Sequence, residues 1–353
     1  MPLYTFTEGD DYLRTTFRSA DPDIYLTLNM LGGNDQLYSL YWGPLRVYCG
    51  TGNDYVHLSS ASRFLIYGEA GNDAVDVNHR SVGLKIDGGD GDDFVNLFMG
   101  SSSINILGGA GNDAFFGYNQ DLSGTVDGGD GNDVFVGLGS SGDHLPKLLG
   151  GAGDDRFVVG AFIPPEIDGG LGNDVLVVED MAAPTWFNLA QHGLESGERV
   201  LHDAGGASWT TFASFYDQGW QLAHEELRND DGTRGWANFD TDGTEPWTKV
   251  WYNFDAQERL VSQDLFKDDG THNWGGFDVT DAHGWSEAWY GFDTQSRMTS
   301  LEVRYDDGSR SWNGYDAESA QAWSSVAFLY DPSGHLYQQV VTWDDGHTST
   351  TIL

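Results

Sequence analysis

The sequence predicts an all-β protein: a parallel β-solenoid, or β-roll, of about eight coils, followed by a repetitive antiparallel β module of 38-residue repeats. Two observations predict it. A glycine-rich turn recurs every 19 to 22 residues between short stretches of alternating apolar residues. A second repeat, with a strict period of 38 residues, occupies the C-terminal part of the chain. Self-similarity at a fixed period is typical of architectures in which each repeat packs on its neighbours.

The first repeat is best seen in GGDGNDVFVGL, which begins at Gly128. Every copy keeps a glycine two positions before a closing Asp, with Asn or Asp between them. Full-pattern copies begin at Gly88, Gly108, Gly128, Gly150 and Gly169, and weaker copies at Gly32, Cys49 and Gly68. The closing aspartates are Asp35, Asp54, Asp73, Asp93, Asp113, Asp133, Asp155 and Asp174.

Apolar residues alternate on both sides of each turn, which is typical of half-buried strands. One coil is therefore expected to be a strand, a variable turn, a return strand and the glycine-rich turn. Two residues after each closing Asp stand Leu37, Val56, Val75, Val95, Phe115, Phe135, Phe157 and Leu176. Two residues before the turns stand Val47, Ile66, Ile86, Ile106, Val126, Leu148 and Ile167. Together they predict a thin core shared by all coils.

Stacking the coils would place the closing aspartates in one column. At a coil spacing of ~5 Å, neighbouring carboxylates repel by roughly 0.8 kcal/mol even in water. A divalent cation that prefers oxygen ligands would turn this repulsion into attraction, and calcium takes carboxylate and carbonyl oxygens alike. Glycines, which adopt left-handed conformations readily, would turn carbonyl groups toward such an ion, and Asn tolerates the same conformation.

The motif GGDGNDVFV resembles the nonapeptide of the RTX (repeats-in-toxin) calcium-binding β-roll proteins. The resemblance implies calcium held between successive turns by the closing Asp and by turn carbonyls. It implies side-chain ligands at Asp93, Asp113, Asp133, Asp155 and Asp174, with Asp73, Asp54 and Asp35 in the weaker copies. The glycines that would present carbonyls are Gly89, Gly91, Gly109, Gly111, Gly129, Gly131, Gly151, Gly153, Gly170 and Gly172.

This chain departs from that family because the motif stands on one edge of the coils only. The opposite turns, such as GYNQDLSG at 117–124 and GLGSSGDHLPK at 137–147, are irregular. We therefore expect one column of about four to seven Ca²⁺ ions rather than two columns. The alternative is a metal-free solenoid whose glycines serve only as turns.

Residues 31–180 thus form the predicted RTX-like roll, with 1–30 as an N-terminal cap or degenerate coil and 181–208 as a capping segment or linker. The 38-residue repeats fill 209–353, where Trp209, Trp247, Trp285 and Trp323 are in register. Each repeat is expected to hold a strand, a turn, a strand, a DDG hairpin turn and a third strand. An aromatic residue and Asp, followed by Arg-Leu, resemble the YD/RHS-type β repeats.

Alternation within the first strand of each repeat predicts two unlike faces. One face, with Val250, Tyr252 and Phe254, is expected to pack a core. The other would carry an exposed aromatic stripe, which suits a glycan or cell-surface polysaccharide. Its members are Trp247, Trp251, Trp285 and Trp289. The alternative is that another strand or a partner chain covers these rings.

Composition narrows the partners and the compartment. The formal net charge is −38, which disfavours nucleic acid and anionic lipid. No apolar run approaches the length of a membrane span, and Cys49 is the only cysteine. The N-terminus lacks a signal-peptide pattern. The RTX resemblance implies a bacterial protein exported through a type I secretion apparatus by a C-terminal signal and acting outside the cell or on its surface.

No catalytic motif is evident, so we expect a non-enzymatic protein. The leading hypothesis is a secreted calcium-binding RTX-type protein that acts in adhesion or in the extracellular matrix, with calcium driving folding after export. Two alternatives remain open. One is a carbohydrate-binding module that uses the aromatic stripe. The other is an accessory chain of an RTX polysaccharide-modifying enzyme.

Overall fold

The structure is a computed structural model that describes residues 3–16, 24–40, 43–59, 63–78, 82–98, 102–117, 122–138, 145–160, 163–164, 166–180, 184, 187–202 and 208–353. The irregular turns opposite the glycine-rich ones lie largely outside the described residues, as do parts of 181–208. The chain divides into two units. Unit 1 contains Met1–Leu201 and Tyr216–Trp220, and unit 2 contains His202–Phe215 and Gln221–Leu353.

Unit 1 is a parallel β-solenoid of about eight turns, as the sequence predicts. Strands that precede the glycine-rich turns stack in register into one parallel sheet, the A sheet. Its strands are β1 (Leu3–Thr5), β3 (Leu26–Asn29), β5 (Pro44–Thr51), β7 (Arg63–Ala70), β9 (Val82–Asp90), β11 (Ser102–Ala110), β13 (Gly124–Asp130), β15 (Lys147–Ala152) and β17 (Ile167–Leu171).

Strands that follow the turns stack into a second parallel sheet, the B sheet. These strands are shorter than most strands of the A sheet. They begin only after the closing Asp, whereas the A-sheet strands continue into the turn. The strands are β2 (Tyr12–Thr15), β4 (Gln36–Ser39), β6 (Tyr55–Leu58), β8 (Ala74–Val77), β10 (Phe94–Leu97), β12 (Ala114–Gly117), β14 (Val134–Val136), β16 (Arg156–Val159), β18 (Val175–Glu179) and β19 (Ser196–His202).

The core of unit 1 lies between these two sheets. Each coil points about four apolar side chains inward, for example Leu84 and Ile86 from β9, and Val95 and Leu97 from β10, all at most 2% exposed. All the apolar positions predicted on either side of the turns are buried. In the later coils the phenylalanines Phe115, Phe135 and Phe157 stack, with ring centroids 5.0 and 4.6 Å apart. The shared core explains why single coils need their neighbours.

Segments on both sides of the repeats continue the solenoid. In residues 1–30, β1 pairs with β3 and β2 pairs with β4. After β18, a short 3₁₀ helix (Leu189–His192) leads into β19. Leu189 and Leu194 are fully buried, and Trp220 donates its indole N–H to the Phe187 carbonyl at 2.9 Å. These contacts cover the end of the apolar core.

Unit 2 is an antiparallel meander with three strands per 38-residue repeat, as predicted. From its second strand to its last but one, each strand pairs with the next strand in the chain. The strands are β20 (Trp209–Asp217), β21 (Leu222–Asn229), β22 (Arg234–Phe239), β23 (Trp247–Phe254), β24 (Leu260–Lys267), β25 (His272–Phe277), β26 (Trp285–Phe292), β27 (Met298–Tyr305), β28 (Arg310–Tyr315), β29 (Trp323–Tyr330), β30 (Leu336–Trp343) and β31 (Thr348–Ile352).

The meander has few buried apolar side chains. Within 208–353, only Ala237, Val250 and Ala288 are buried hydrophobic residues. Most of its aromatic rings are half-buried, and the contacts that shield them come from neighbouring strands of the same sheet. The prediction that Val250, Tyr252 and Phe254 form a core face is therefore wrong for Tyr252 and Phe254, which are only half-buried.

Candidate metal centre

The glycine-rich turns share one backbone conformation, which we number by the positions of G-G-x-G-N-D. Glycines at positions 2 and 4 have positive φ, for example +111° at Gly129 and +132° at Gly131. This agrees with the predicted left-handed turn. The Asn or Asp at position 5 has no positive φ in any of the eight described turns, so the expectation that Asn is chosen for a left-handed backbone is wrong.

The closing aspartates at position 6 form one continuous column, the Asp ladder. All eight are between 0% and 4% exposed. The backbone N–H of each donates to Oδ1 of the closing Asp in the next coil, from Asp35 to Asp174, at 2.7–2.8 Å. The sequence therefore predicted the column correctly. The aspartates are buried, however, whereas a binding site on the surface would leave them exposed.

The second oxygen of every ladder carboxyl has no partner. In the described part of the chain, Oδ2 of all eight aspartates is buried and makes no hydrogen bond. Burial raises the pKa of Asp113, Asp133 and Asp155 to about 7 and that of Asp73 to about 8, although a backbone N–H opposes the shift. Neighbouring carboxylates raise these pKa values further. A buried carboxylate oxygen without a hydrogen-bond partner is costly unless it is protonated or bound to a cation.

In six of the eight turns, Oδ2 lies beside a carbonyl oxygen of the following coil. At Gly128, position 1 of its turn, Oδ2 of Asp133 and the carbonyl oxygen of Gly150 both lie within 2.6 Å of the point where a Cβ would stand. The two oxygens are therefore less than about 5 Å apart, which two ligands of one Ca²⁺ can span. We call this arrangement a cradle. The same pair of oxygens surrounds Gly68, Gly88, Gly108, Gly150 and Gly169, which gives six cradles.

The cradles also show why position 1 is glycine. A Cβ at Gly128 would overlap both the ladder carboxylate and the next coil's backbone. This glycine does not need positive φ; it needs the absence of a side chain. The two earliest turns differ, because Met30 and Cys49 occupy position 1 and are fully buried. Their side chains fill the space that is open in later coils, so the turns of Asp35 and Asp54 lack an equivalent cradle.

Position 5 builds a second ladder that sequence reasoning missed. Its backbone N–H donates to the side-chain oxygen at position 5 of the preceding coil, for example from Asn132 to Asn112 at 2.8 Å and from Asp154 to Asn132 at 2.7 Å. These bonds run in the opposite direction to those of the Asp ladder. Only Asn and Asp carry an oxygen at this distance from the backbone, so the strict Asn or Asp at position 5 was the available signal.

The Asp ladder extends one step beyond the repeats at each end. The N–H of Asp174 donates to Oε2 of Glu195 at 2.7 Å, and the Gly193 carbonyl completes the last cradle over Gly169. At the other end, the N–H of Asp11 donates to Oδ1 of Asp35 at 2.6 Å. Glu195 lies outside every copy of the glycine-rich motif, so no sequence pattern points to it, whereas Gly9-Asp10-Asp11 is a short remnant of the motif.

The donor set fits a hard divalent cation. Each cradle offers one carboxylate and one carbonyl oxygen, the ligand types that Ca²⁺ prefers among its six to eight oxygens. The remaining ligands would be further turn carbonyls or water. The Oδ1 atoms are already engaged by N–H groups, so each ladder Asp offers one free oxygen. The number of ions, predicted as about four to seven, stays a prediction.

The tryptophans of unit 2 do not form a single stripe. Opposite residues in antiparallel strands share a face, and this register connects Trp251 with Asp264, then Trp274, then Tyr290. Trp289 is the chain neighbour of Tyr290 and so points to the other face. Trp251 and Trp289 therefore lie on opposite faces of the sheet, and the predicted in-register stripe is wrong.

These rings are held by neighbours on their own face. Trp247, Trp251, Trp285 and Trp289 are all half-buried. The Trp251 indole N–H donates to Asn253 at 2.8 Å, with the Lys249 ammonium 4.9 Å from its ring. The Trp289 N–H donates to Glu287 at 3.1 Å. The indole N–H groups of Trp251 and Trp289 are thus already satisfied within their own strands.

The repeated aspartates of unit 2 are turn residues. Asp255 accepts the backbone N–H groups of Gln257 and Arg259, both at 2.9 Å, and binds the Arg259 guanidinium. Asp293 repeats this arrangement with Gln295 and Arg297. Hydrogen bonds lower the pKa of both carboxyls, led by the backbone N–H of the arginine. The two kinds of repeat therefore use aspartate in opposite ways.

Comparison with known proteins adds no family: no protein-family model and no curated protein matches this chain. Among the described residues, no helix has the length and apolar character needed to cross a membrane.

Proposed function

We propose that unit 1 is a calcium-binding β-roll of the RTX type. The observation that carries the proposal is the column of buried Oδ2 atoms, none of which has a partner in the described part of the chain. Six of them converge with a carbonyl oxygen of the next coil. Bound calcium would neutralise these carboxylates and link successive turns.

Each position of the turn would have its own role in such a site. Position 6 supplies the carboxylate oxygen, position 1 supplies the carbonyl and the space, and positions 2 and 4 give the turn its left-handed bends. Position 5 ties each turn to the one before it without using the cradle. A sequence selected only to form turns would not need a buried carboxylic acid in every coil.

The test is a calorimetric titration of the full chain with calcium at neutral pH. We expect about six sites in one cooperative set, with affinities in the range of extracellular modules, about 10⁻⁴–10⁻³ M. Magnesium serves as the control, because it demands near-octahedral geometry and dehydrates reluctantly. Absence of calcium binding by folded protein would refute the proposal.

For the biological role, we propose a non-enzymatic bacterial protein that acts in adhesion or in the extracellular matrix after type I secretion. Extracellular calcium would then allow folding outside the cell, whereas the low-calcium cytosol would not. The RTX resemblance and the acidic, single-cysteine composition support this role. Export of a variant lacking the last 60 residues, at wild-type efficiency, would exclude a C-terminal signal.

A further inference from the structure

The turn that contains Cys49 departs from the others in its chemistry. Cys49 occupies position 1, where six later turns have glycine, and its thiol enters the space that is a cradle elsewhere. Its Sγ and one carboxylate oxygen each from Asp54 and Asp73 lie within 4.8 Å of one another. All three side chains are buried, at 0%, 2% and 4% exposure.

Both carboxyls have an oxygen to spare at this point. Oδ1 of Asp54 accepts the N–H of Asp35, and Oδ1 of Asp73 accepts the N–H of Asp54. Oδ2 of each is buried and has no hydrogen-bond partner among the described residues. Two carboxyl groups and a thiol therefore share one buried space. If two of them are ionised, no positive side chain among these three groups balances their charges.

We propose that Cys49, Asp54 and Asp73 form a binding site for one thiophilic divalent cation, with Zn²⁺ or Cd²⁺ as the ligand class. A thiolate is a soft ligand that Zn²⁺ and Cd²⁺ bind strongly and that Ca²⁺ does not, because calcium takes oxygen ligands. One sulfur and two carboxylate oxygens supply three of the four ligands of a tetrahedral ion.

The geometry allows this with small movements. Zinc–sulfur and zinc–oxygen bonds of about 2.3 and 2.1 Å place tetrahedral ligands roughly 3.6 Å apart. The observed limit of 4.8 Å therefore requires the ligand atoms to close by about 1 Å at most. Small rotations of the three side chains move their ligand atoms by that amount. The bound ion would join two consecutive turns in a chain that cannot form an internal disulfide.

The thiol distinguishes this site from the calcium cradles, although Asp73 Oδ2 also lies in the cradle over Gly68 and would be shared between the two ions. The reduced full chain, kept folded in millimolar calcium, is titrated with Cd²⁺ while the thiolate-to-metal charge-transfer absorbance is recorded. We expect one equivalent to produce the band, and equimolar Zn²⁺ to reduce it. Cys49→Gly, which restores the residue of the other turns, and Cys49→Ser are expected to fold and to show no band.

Asp54→Asn and Asp73→Asn are expected to weaken Cd²⁺ binding at least about tenfold, whereas Asp133→Asn, in a distant coil, leaves the band unchanged. Circular dichroism at each point shows that the titrated protein is folded. The proposal is overturned if folded wild type gives no band, or if both carboxylate variants keep wild-type affinity. Loss of calcium binding with the cadmium band intact would instead refute only the proposed function of the ladder.

Discussion

The buried carboxyl of Asp133 has two unlike oxygens, and this determines what each substitution there should do. Oδ1 accepts the N–H of Asp113 at 2.7 Å, while Oδ2 has no hydrogen-bond partner among the described residues and lies, like the carbonyl oxygen of Gly150, close to Gly128. An amide in this place can keep the first interaction and donate its N–H to the Gly150 carbonyl. Asparagine therefore imitates the protonated acid, and it cannot supply the charge that calcium needs.

We expect Asp133→Asn to have opposite effects with and without calcium. In chelator at pH 8, it should raise the free energy of unfolding by about 1 kcal/mol, because it satisfies a buried acceptor. In calcium it should weaken binding at the gaps next to this turn by about tenfold or more. Thermal melts in both conditions measure this. Asp130→Asn, which removes the same charge from an exposed position of the turn, is the control.

Asp133→Ala removes both oxygens and is expected to destabilise unit 1 in either condition. A variant Asp133→Asn that bound calcium like wild type would show that the ladder carboxylates are not the ligands.

Position 1 of the turn gives a second prediction at this scale. Gly128→Ala places a Cβ within 2.6 Å of the Asp133 carboxylate and the Gly150 carbonyl. Overpacking of this kind costs about 1–3 kcal/mol, so unit 1 should unfold at clearly lower denaturant concentration. Gly160→Ala is the matched control, since nothing lies within 4 Å of its Cβ position. Equal stability of the two variants would contradict the cradle geometry.

At the scale of elements, the Asp ladder makes the metal-free solenoid sensitive to pH. Burial raises the pKa of seven of its eight carboxyls to about 6–8, against 3.8 for a free aspartate, and shifts that of Asp35 in the same direction. A raised pKa in the folded state stabilises the fold while the group is protonated. This stabilisation is fully present below about pH 4 and is lost as the pH rises through 6 to 8.

We therefore expect the protein in chelator to melt at a higher temperature at pH 5 than at pH 8, and added calcium to stabilise it most at pH 8. Protons and calcium would compete for the same oxygens. Calorimetric scans at both pH values, with and without calcium, measure the effect. A melting temperature in chelator that rose from pH 5 to pH 8 would show that the ladder is ionised without cost.

In unit 2, the strand register determines which rings interact. Trp274 and Tyr290 face each other across β25 and β26, with ring centroids 5.2 Å apart, whereas Trp289 lies on the other face. A double-mutant cycle of Trp274→Ala and Tyr290→Ala should give a coupling energy of about 0.5–1.5 kcal/mol. The cycle of Trp274→Ala with Trp289→Ala should give about zero. Equal coupling in both cycles would contradict the register.

The two repeats differ in how much their sequences could predict. The core of unit 1 follows from alternation, since every apolar position two residues from a turn is buried. The Asp column follows from its constant spacing. The position-5 ladder was missed because its role depends on a bond between coils, which composition does not show. Glu195 has no motif at all and takes its place only because the chain returns there after Leu189–His192.

For the whole molecule, the calcium dependence should be confined to one unit. Unit 1 carries the ladder, while the aspartates of unit 2 are bound to backbone N–H groups and arginines. At tenfold excess over Kd, each calcium contributes about 1.4 kcal/mol, so several ions together match the stability of a typical domain. We expect two melting transitions. Chelator should lower the temperature of the first, that of unit 1, and leave the second, that of unit 2, unchanged.

Tryptophan fluorescence follows the second transition, because most of the 13 tryptophans lie in unit 2. Circular dichroism reports both. If chelator shifted the fluorescence transition as much as the solenoid transition, the two units would not unfold independently.

The three strands of each repeat in unit 2 have a geometric consequence. An odd number of antiparallel strands reverses the strand direction from one repeat to the next, as between β23 and β26. A chain of L-amino acids cannot be mirrored, so reversal of direction along the sheet must be accompanied by exchange of its two faces. Successive repeats are thus related by a half-turn about the axis along which the strands stack, a twofold screw operation.

Under this screw symmetry, neither side of the sheet is an inside or an outside. A surface group such as Trp251 recurs on the same side only in every second repeat, and its equivalent Trp289 serves the opposite side. Insertion or loss of one repeat keeps the pairing between neighbouring strands. It also exchanges the two faces of the sheet in every repeat that follows. A ligand that bridges repeats on one side would therefore distinguish chains with an even number of intervening repeats from chains with an odd number.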